Sequence, residues 1–148
     1  MEEIHGATDN QLIIAACTND QEDWLDRLLA KGDFDINYTD DNGNTALHYC
    51  TKNGALNCLE LLVLVGGIQI NIKNNLGNTP LHYAVQYADD THLALEMVSI
   101  LLDNGADPRL KNKDHVTPLA LVDETNEDMK DLLSTVLVYD DDIDVGDD

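Results

Sequence analysis

A short helical solenoid is the fold class that this sequence predicts, and three observations predict it. Thr45-Ala46-Leu47-His48-Tyr49 returns as Thr79-Pro80-Leu81-His82-Tyr83, 34 residues later. Each copy follows a Gly-Asn pair, Gly43-Asn44 or Gly77-Asn78. Each is followed by a leucine pair and a closing glycine, Leu61-Leu62 to Gly66 and Leu101-Leu102 to Gly105. A fixed period of this size marks stacked supersecondary units, none of which buries its apolar face alone. The expected architecture is all-α, with helix-turn-helix units joined by β-turn or hairpin fingers, in about four repeats that include two terminal caps.

The first unit, about 9–38, is degenerate. Leu12-Ile13-Ile14-Ala15-Ala16 stands for its first helix, and Trp24-Leu25 with Leu28-Leu29 for its second, closing at Gly32. In the second unit, 39–72, Thr45 caps a helix over Ala46–Asn53 that ends near Gly54. A second helix is expected over 56–65, stopped by Gly66-Gly67, which supply left-handed backbone. Its near-continuous apolar coat predicts burial on both sides. In the third unit, 73–110, Thr79 and Pro80 read as an N-cap followed by proline at the first helical position. Between these units, the alternation at Ile70-Asn71-Ile72 and the turn at Asn74-Asn75-Leu76-Gly77 predict an extended segment and a tight turn.

The fourth unit, 111–138, starts at Val116-Thr117-Pro118-Leu119. Met129, Leu132, Leu133, Val136 and Leu137 put one apolar stripe on its second helix, as a terminal cap requires. The sequence thus predicts a complete array of a cap, two inner units and a cap. The spacing from Thr79 to Thr117 is 38 rather than 34, and the extra residues fall at 87–93. That longer turn either reaches a partner or is a tolerated surface insertion.

Composition bounds the partners. At 148 residues, 43% of them hydrophobic, the chain is one folded domain. The formal net charge of -21, from 29 acidic against 8 basic residues, disfavours nucleic acid and an anionic membrane surface. Its natural complement is a basic protein, or else it serves solubility alone. Residues 1–8 form an N-terminal extension. Residues 139–148 form an acidic tail that is expected to be disordered, since Asp140, Asp141, Asp142, Asp144, Asp147 and Asp148 supply six carboxylates. Cys17, Cys50 and Cys58 lie in apolar runs and form no C-x-x-C pair, which predicts reduced, structural thiols. The start lacks a signal peptide's cationic end, and no apolar stretch is long enough to span a bilayer. A cytoplasmic or nuclear protein is expected, monomeric by itself.

No catalytic or cofactor motif is present: no P-loop, no Gly-x-Gly-x-x-Gly, no Gly-x-Ser-x-Gly. The cysteines and histidines lack zinc-ligand spacing, and the carboxylates of the tail lack the rest of a calcium loop. No enzyme activity, cofactor or metal is expected.

The run from Asp40 through His48 and the run from Asn74 through His82 resemble the ankyrin repeat, as do the Leu-Leu runs and Gly105-Ala106-Asp107. The resemblance covers roughly 9–138. There are departures: one residue more than usual from Gly32 to Asn37 and from Gly66 to Asn71, His115 where the turn glycine belongs, and Ala120 where the histidine belongs. The resemblance implies structural roles for His48 and His82, which would bond within and between units. It also implies a scaffold for protein–protein contact, with the partner lying along the fingers and the exposed face of each first helix. The contact positions it implies are Thr39, Asp41, Asn42 and Asn44 with Lys52 and Asn53 in the second unit. In the third unit they are Lys73, Asn75, Leu76 and Asn78 with Gln86 and Tyr87. Tyr38, Tyr49 and Tyr83 lie near that face, either as anchors or partly buried against the next unit. Arg109, Lys111 and Lys113 gather on the last finger, either making the surface basic at that end or neutralising nearby carboxylates.

The function expected from this reading is a non-catalytic binding module for a basic client, acting as an escort or by sequestration. The alternatives are a stand-alone inhibitor or adaptor, similar to the small four-repeat inhibitors of cyclin-dependent kinases, and a subunit of a transcription or chromatin complex.

Overall fold

Each unit starts with a helix whose first turn is closed by its own side chains. The computed structural model describes residues 7–145, with side chains described through 137. Its elements are α1 (Asp9–Thr18), α2 (Glu22–Lys31), α3 (Ala46–Asn53), α4 (Leu56–Leu62), α5 (Pro80–Gln86), α6 (Thr91–Asp103), a 3₁₀ turn at Leu119–Leu121 and α7 (Glu127–Val145). Thr8, Thr45 and Thr79 cap α1, α3 and α5 through reciprocal side-chain and backbone bonds, with Gln11, His48 and His82 as the answering side chains. These bonds satisfy amide groups that a helix start otherwise leaves orphaned.

The helices form two layers. The first helices stack α1 on α3 on α5 on the 3₁₀ turn, and the second helices stack α2 on α4 on α6 on α7. Between the layers runs one core of small and aliphatic side chains, including Ala16, Leu25, Leu47, Leu59, Leu62, Leu81, Met97, Leu101, Met129 and Leu133. Cys17, Cys50 and Cys58 are free thiols buried in it. Hydrogen bonding among these thiols, joined by burial, pushes Cys17 and Cys58 well above the ordinary thiol range, so both stay protonated packing groups.

Three expectations need correction. The second helix of the second unit stops at Leu62, not at 65. The Leu64 and Val65 amides bond back to Leu61 and Leu62 carbonyls at 3.2 and 3.0 Å, a tightened last turn that swings Leu64 out to 80% exposure. An apolar run therefore does not here imply a helix buried on all sides. The fourth unit has only a 3₁₀ turn where a first helix was expected. The Asp123 carboxylate takes both the Thr125 amide at 2.9 Å and its hydroxyl at 2.6 Å, a local turn that competes with helix extension. Lastly, α7 runs past the boundary drawn at 138. Its helical backbone covers 139–145 of the tail expected to be disordered, while residues 1–6, residues 146–148 and the side chains from 138 onward lie outside what is described.

The long connector of the third unit is the segment 87–90, against 54–55 in the second. Tyr87 folds back from it over the preceding unit. A Cβ at Gly54 would sit 2.5 Å from the tyrosine ring, so this glycine clears space for it.

Candidate protein-binding surface

The fingers are turns rather than strands; no strand is found among the described residues. Each is built on one Asx residue. Asp40 Oδ1 accepts the amides of Asn42 and Asn44 at 3.0 and 2.9 Å. Asn74 does the same for Leu76 and Asn78, and Asn112 for Asp114 and Val116. A backbone pair closes each turn, from Asp40 to Asn44, Asn74 to Asn78 and Asn112 to Val116 at 2.9–3.0 Å. The left-handed position falls on Gly43, Gly77 and His115.

Adjacent fingers are bonded directly. The Asn75 amide donates to the Asn42 carbonyl, and the Lys113 amide to the Leu76 carbonyl, both at 3.0 Å. Asn74 Nδ2 donates to Asn44 Oδ1 at 2.8 Å, and Asn112 Nδ2 to Asn78 Oδ1 at 2.9 Å. Asparagine is needed where a preceding finger offers an acceptor. Asp40, on the first such finger among the described residues, carries a carboxylate instead.

Behind the fingers the histidines tie unit to unit. His48 Nδ1 accepts the Thr45 amide at 2.9 Å, so its Nε2 carries the hydrogen and donates to the Asn78 carbonyl at 2.9 Å. His82 repeats this with Thr79 and Val116 at 3.0 and 2.9 Å. Burial pushes both imidazoles below their ordinary pKa, against the pull of those carbonyls. They are neutral structural groups.

The tyrosines belong to the same frame. The Tyr49 hydroxyl donates to Asp40 Oδ2. Desolvation pushes Asp40 up, but this bond and the Asn44 and Asn42 amides outweigh it and hold the carboxyl below its usual range. Tyr83 accepts from Asn74 Nδ2 at 2.8 Å, and its ring lies under the Lys52 ammonium, 5.3 Å away.

The predicted contact positions therefore separate into two sets. Thr39, Asp41, Asn42, Lys52, Asn53, Lys73, Asn75 and Leu76 are exposed, Leu76 at 64%. Asn75 spends its side chain on the Asp41 carbonyl, and Lys73 reaches the Lys111 carbonyl at 2.8 Å. Asn44 is buried and Asn78 half-buried, both as acceptors between fingers, so neither is free for a partner. Tyr49 and Tyr83 are half-buried with their hydroxyls occupied. Gln86 and Tyr87 stand at the other end of α5, about 10 Å from its finger. There they line a polar cleft of about 560 Å³ with Thr91, Asp123 and Asn126, opened because the 3₁₀ turn is too short to cover α5.

A second cleft, of about 290 Å³, lies on the finger side. Gln11 and Ile14 of α1 line it together with Tyr38, Asp40, Asp41 and Asn42. The α1 residues were missed because the first unit has no finger signature to align it by. Also missed was a ladder at the roots of the units. Asn37 bridges the Gly67 carbonyl and the Gln69 amide, and Asn71 the Gly105 carbonyl and the Asp107 amide. Its signal was available, since Asn37 and Asn71 keep the 34-residue period.

The comparisons agree with this frame. The family model for ankyrin repeats (3 copies) matches residues 12–112. A fowlpox virus (strain NVSL) protein named as an ankyrin repeat protein, FPV023, is 59% identical over 85 residues, which is 57% of this chain and 18% of that relative. The chain thus spans under a fifth of that relative's length. It belongs to the ankyrin-repeat family, a fold of protein–protein interaction modules that is generally non-enzymatic. Among the described residues no helix is long and apolar enough to cross a membrane, and no side-chain group could hold a metal ion.

Proposed function

We propose that this chain binds a partner protein along its fingers and first helices, docking a basic segment of it at the first finger, and so escorts or sequesters that partner. The observation that carries the reading is the cleft beside the first finger. At about 290 Å³ it lies at the small end of the roughly 300–1,000 Å³ of ligand sites and has room for a single long side chain. Ile14 and the Tyr38 ring offer apolar wall for the stem of a lysine or arginine, and Asp41 an exposed carboxylate for its head. Asp40 is already committed to Tyr49 and two amides, so Asp41 carries the free charge. The net charge of -21 raises the encounter rate with such a partner without choosing where it lands.

The test is a titration of the isotopically labelled chain with a short lysine-arginine peptide, read by amide chemical shifts. Shifts confined to Tyr38, Asp41, Asn42 and the start of α1, weakened by salt and lost in Asp41→Lys, are the expected result. Shifts confined to the second helices, around Trp24 or Glu60, would remove the finger face from consideration.

A further inference from the structure

We infer that the partner segment is polarised: basic where it meets the first finger, and acidic where it crosses the second and third. This rests on the finger face being the docking surface and adds the sign of charge along it. The chain has eight basic residues, and Lys52, Lys73, Arg109, Lys111 and Lys113 are five of them. They fall on α3 and on or beside the last two fingers. The third finger and its approach carry only Asp107 and Asp114 as carboxylates; the second finger, α3 and α5 carry none.

These lysines are not neutralised from within. Arg109 holds Asp107 at 3.1 Å, which is the one ion pair in this region among the described residues. Lys52 rests over the Tyr83 ring, and Lys73 bonds a backbone carbonyl. Lys111 and Lys113 are exposed. The four form one surface, because Tyr83 bonds Asn74 beside Lys73, Lys73 reaches Lys111, and the Lys113 amide bonds Leu76. Leu76 adds an exposed apolar contact in its middle.

The negative net charge does not cancel this patch. At physiological ionic strength the Debye length is about 8 Å, so carboxylates on the far side of the domain are largely screened. The local lysines then decide which segment settles there. A nucleic acid fits less well than a peptide. Its backbone keeps one sign of charge along its whole length, and a strand continuing past the second finger meets Asp41. A peptide can change sign at that point.

The experiment is a shift titration of the full chain at physiological ionic strength with three probes: a short glutamate peptide with one central leucine, a matched lysine peptide, and a short oligouridine. The glutamate peptide should move the amides of 73–77 and 111–115 and those near Lys52, leaving Asp41 in place. The variant Lys73→Gln/Lys111→Gln/Lys113→Gln should weaken that binding about tenfold or more. Lys113→Gln alone, which touches no interfinger side-chain bond, should weaken it severalfold if the triple variant fails to fold. Shifts at the first finger with the lysine peptide, but none with glutamate, would overturn the polarity and leave the docking face standing. No finger shifts with either peptide would overturn both. Tighter binding of oligouridine than of glutamate on the same fingers would assign the patch to nucleic acid.

Discussion

The second and third fingers carry the same turn, yet among the described residues only the second has another finger stacked on it. At Gly77 (φ +79°) an added Cβ would stand 2.6 Å from the Lys113 amide nitrogen, against backbone that cannot yield cheaply. At the matching place in the third finger His115 holds φ 65° and is exposed. The same division runs through the helices behind. His48 and His82 each reach a carbonyl of the following unit, whereas Ala120 stands where no following finger is seen. Side chains that look like a family signature are thus the ones a neighbour requires.

The largest effect that tests this comparison is loss of an inner histidine. His48→Ala empties a fully buried site and leaves the Thr45 amide and the Asn78 carbonyl without that partner. The expected cost is about 4 kcal/mol, a large share of a typical 5–15 kcal/mol domain stability. Ala120→His, at an exposed position, should stay within about 0.5 kcal/mol of the parent. Urea unfolding of both variants, followed by circular dichroism, checks the pair. A gain from Ala120→His comparable to the loss from His48→Ala would mean that the histidine serves its own helix rather than the next unit.

Gly77→Ala comes next. Left-handed strain and the clash with the third finger add to about 3 kcal/mol, read in the same unfolding experiment.

How much of this was legible in the sequence follows the range of each interaction. Caps, turn glycines and the period are local, so Thr45, Thr79, Gly43 and Gly77 could be read directly. The contact surface was read less well because exposure depends on the neighbouring unit. Asn44 and Asn42 are two residues apart on one finger, but only Asn44 meets Asn74 across the stack. Leu64 looked buried because composition says nothing about where a helix stops. The short first helix of the fourth unit was hidden in a side-chain competition at Asp123 that helix propensity does not capture.

A smaller effect sharpens the role of the histidines through pH. Burial holds His48 and His82 below their ordinary pKa, so the unfolded chain binds their protons more readily. The stability they contribute is present above the unfolded value of about 6.5 and is lost as pH falls through that value towards the folded ones. Urea midpoints should therefore drop between about pH 7 and pH 5. In a His48→Gln/His82→Gln variant the drop should flatten, whatever the variant's absolute stability. Below about pH 5 carboxylates begin to protonate, and relief of repulsion in a chain of net charge -21 acts with the opposite sign. A midpoint that rises steadily across the upper window would show that charge relief, not the buried imidazoles, governs it.

The smallest effect isolates backbone from neighbour. His115 has the left-handed φ of an inner turn glycine without a described finger above it. His115→Gly relieves that strain, worth about 1–2 kcal/mol for an L residue, and costs about 0.5–1 kcal/mol in unfolded-chain entropy. The net expected gain is about 0.5 kcal/mol. His115→Ala should be nearly neutral, since one strained side chain replaces another, while Gly77→Ala is costly. The cost of Gly77→Ala less the gain of His115→Gly measures the stacked finger, because φ is similar at both positions and the backbone strain cancels. If His115→Gly instead stabilised the chain by as much as Gly77→Ala destabilises it, left-handed backbone would account for both glycines. The finger-to-finger contact would then carry no energy of its own.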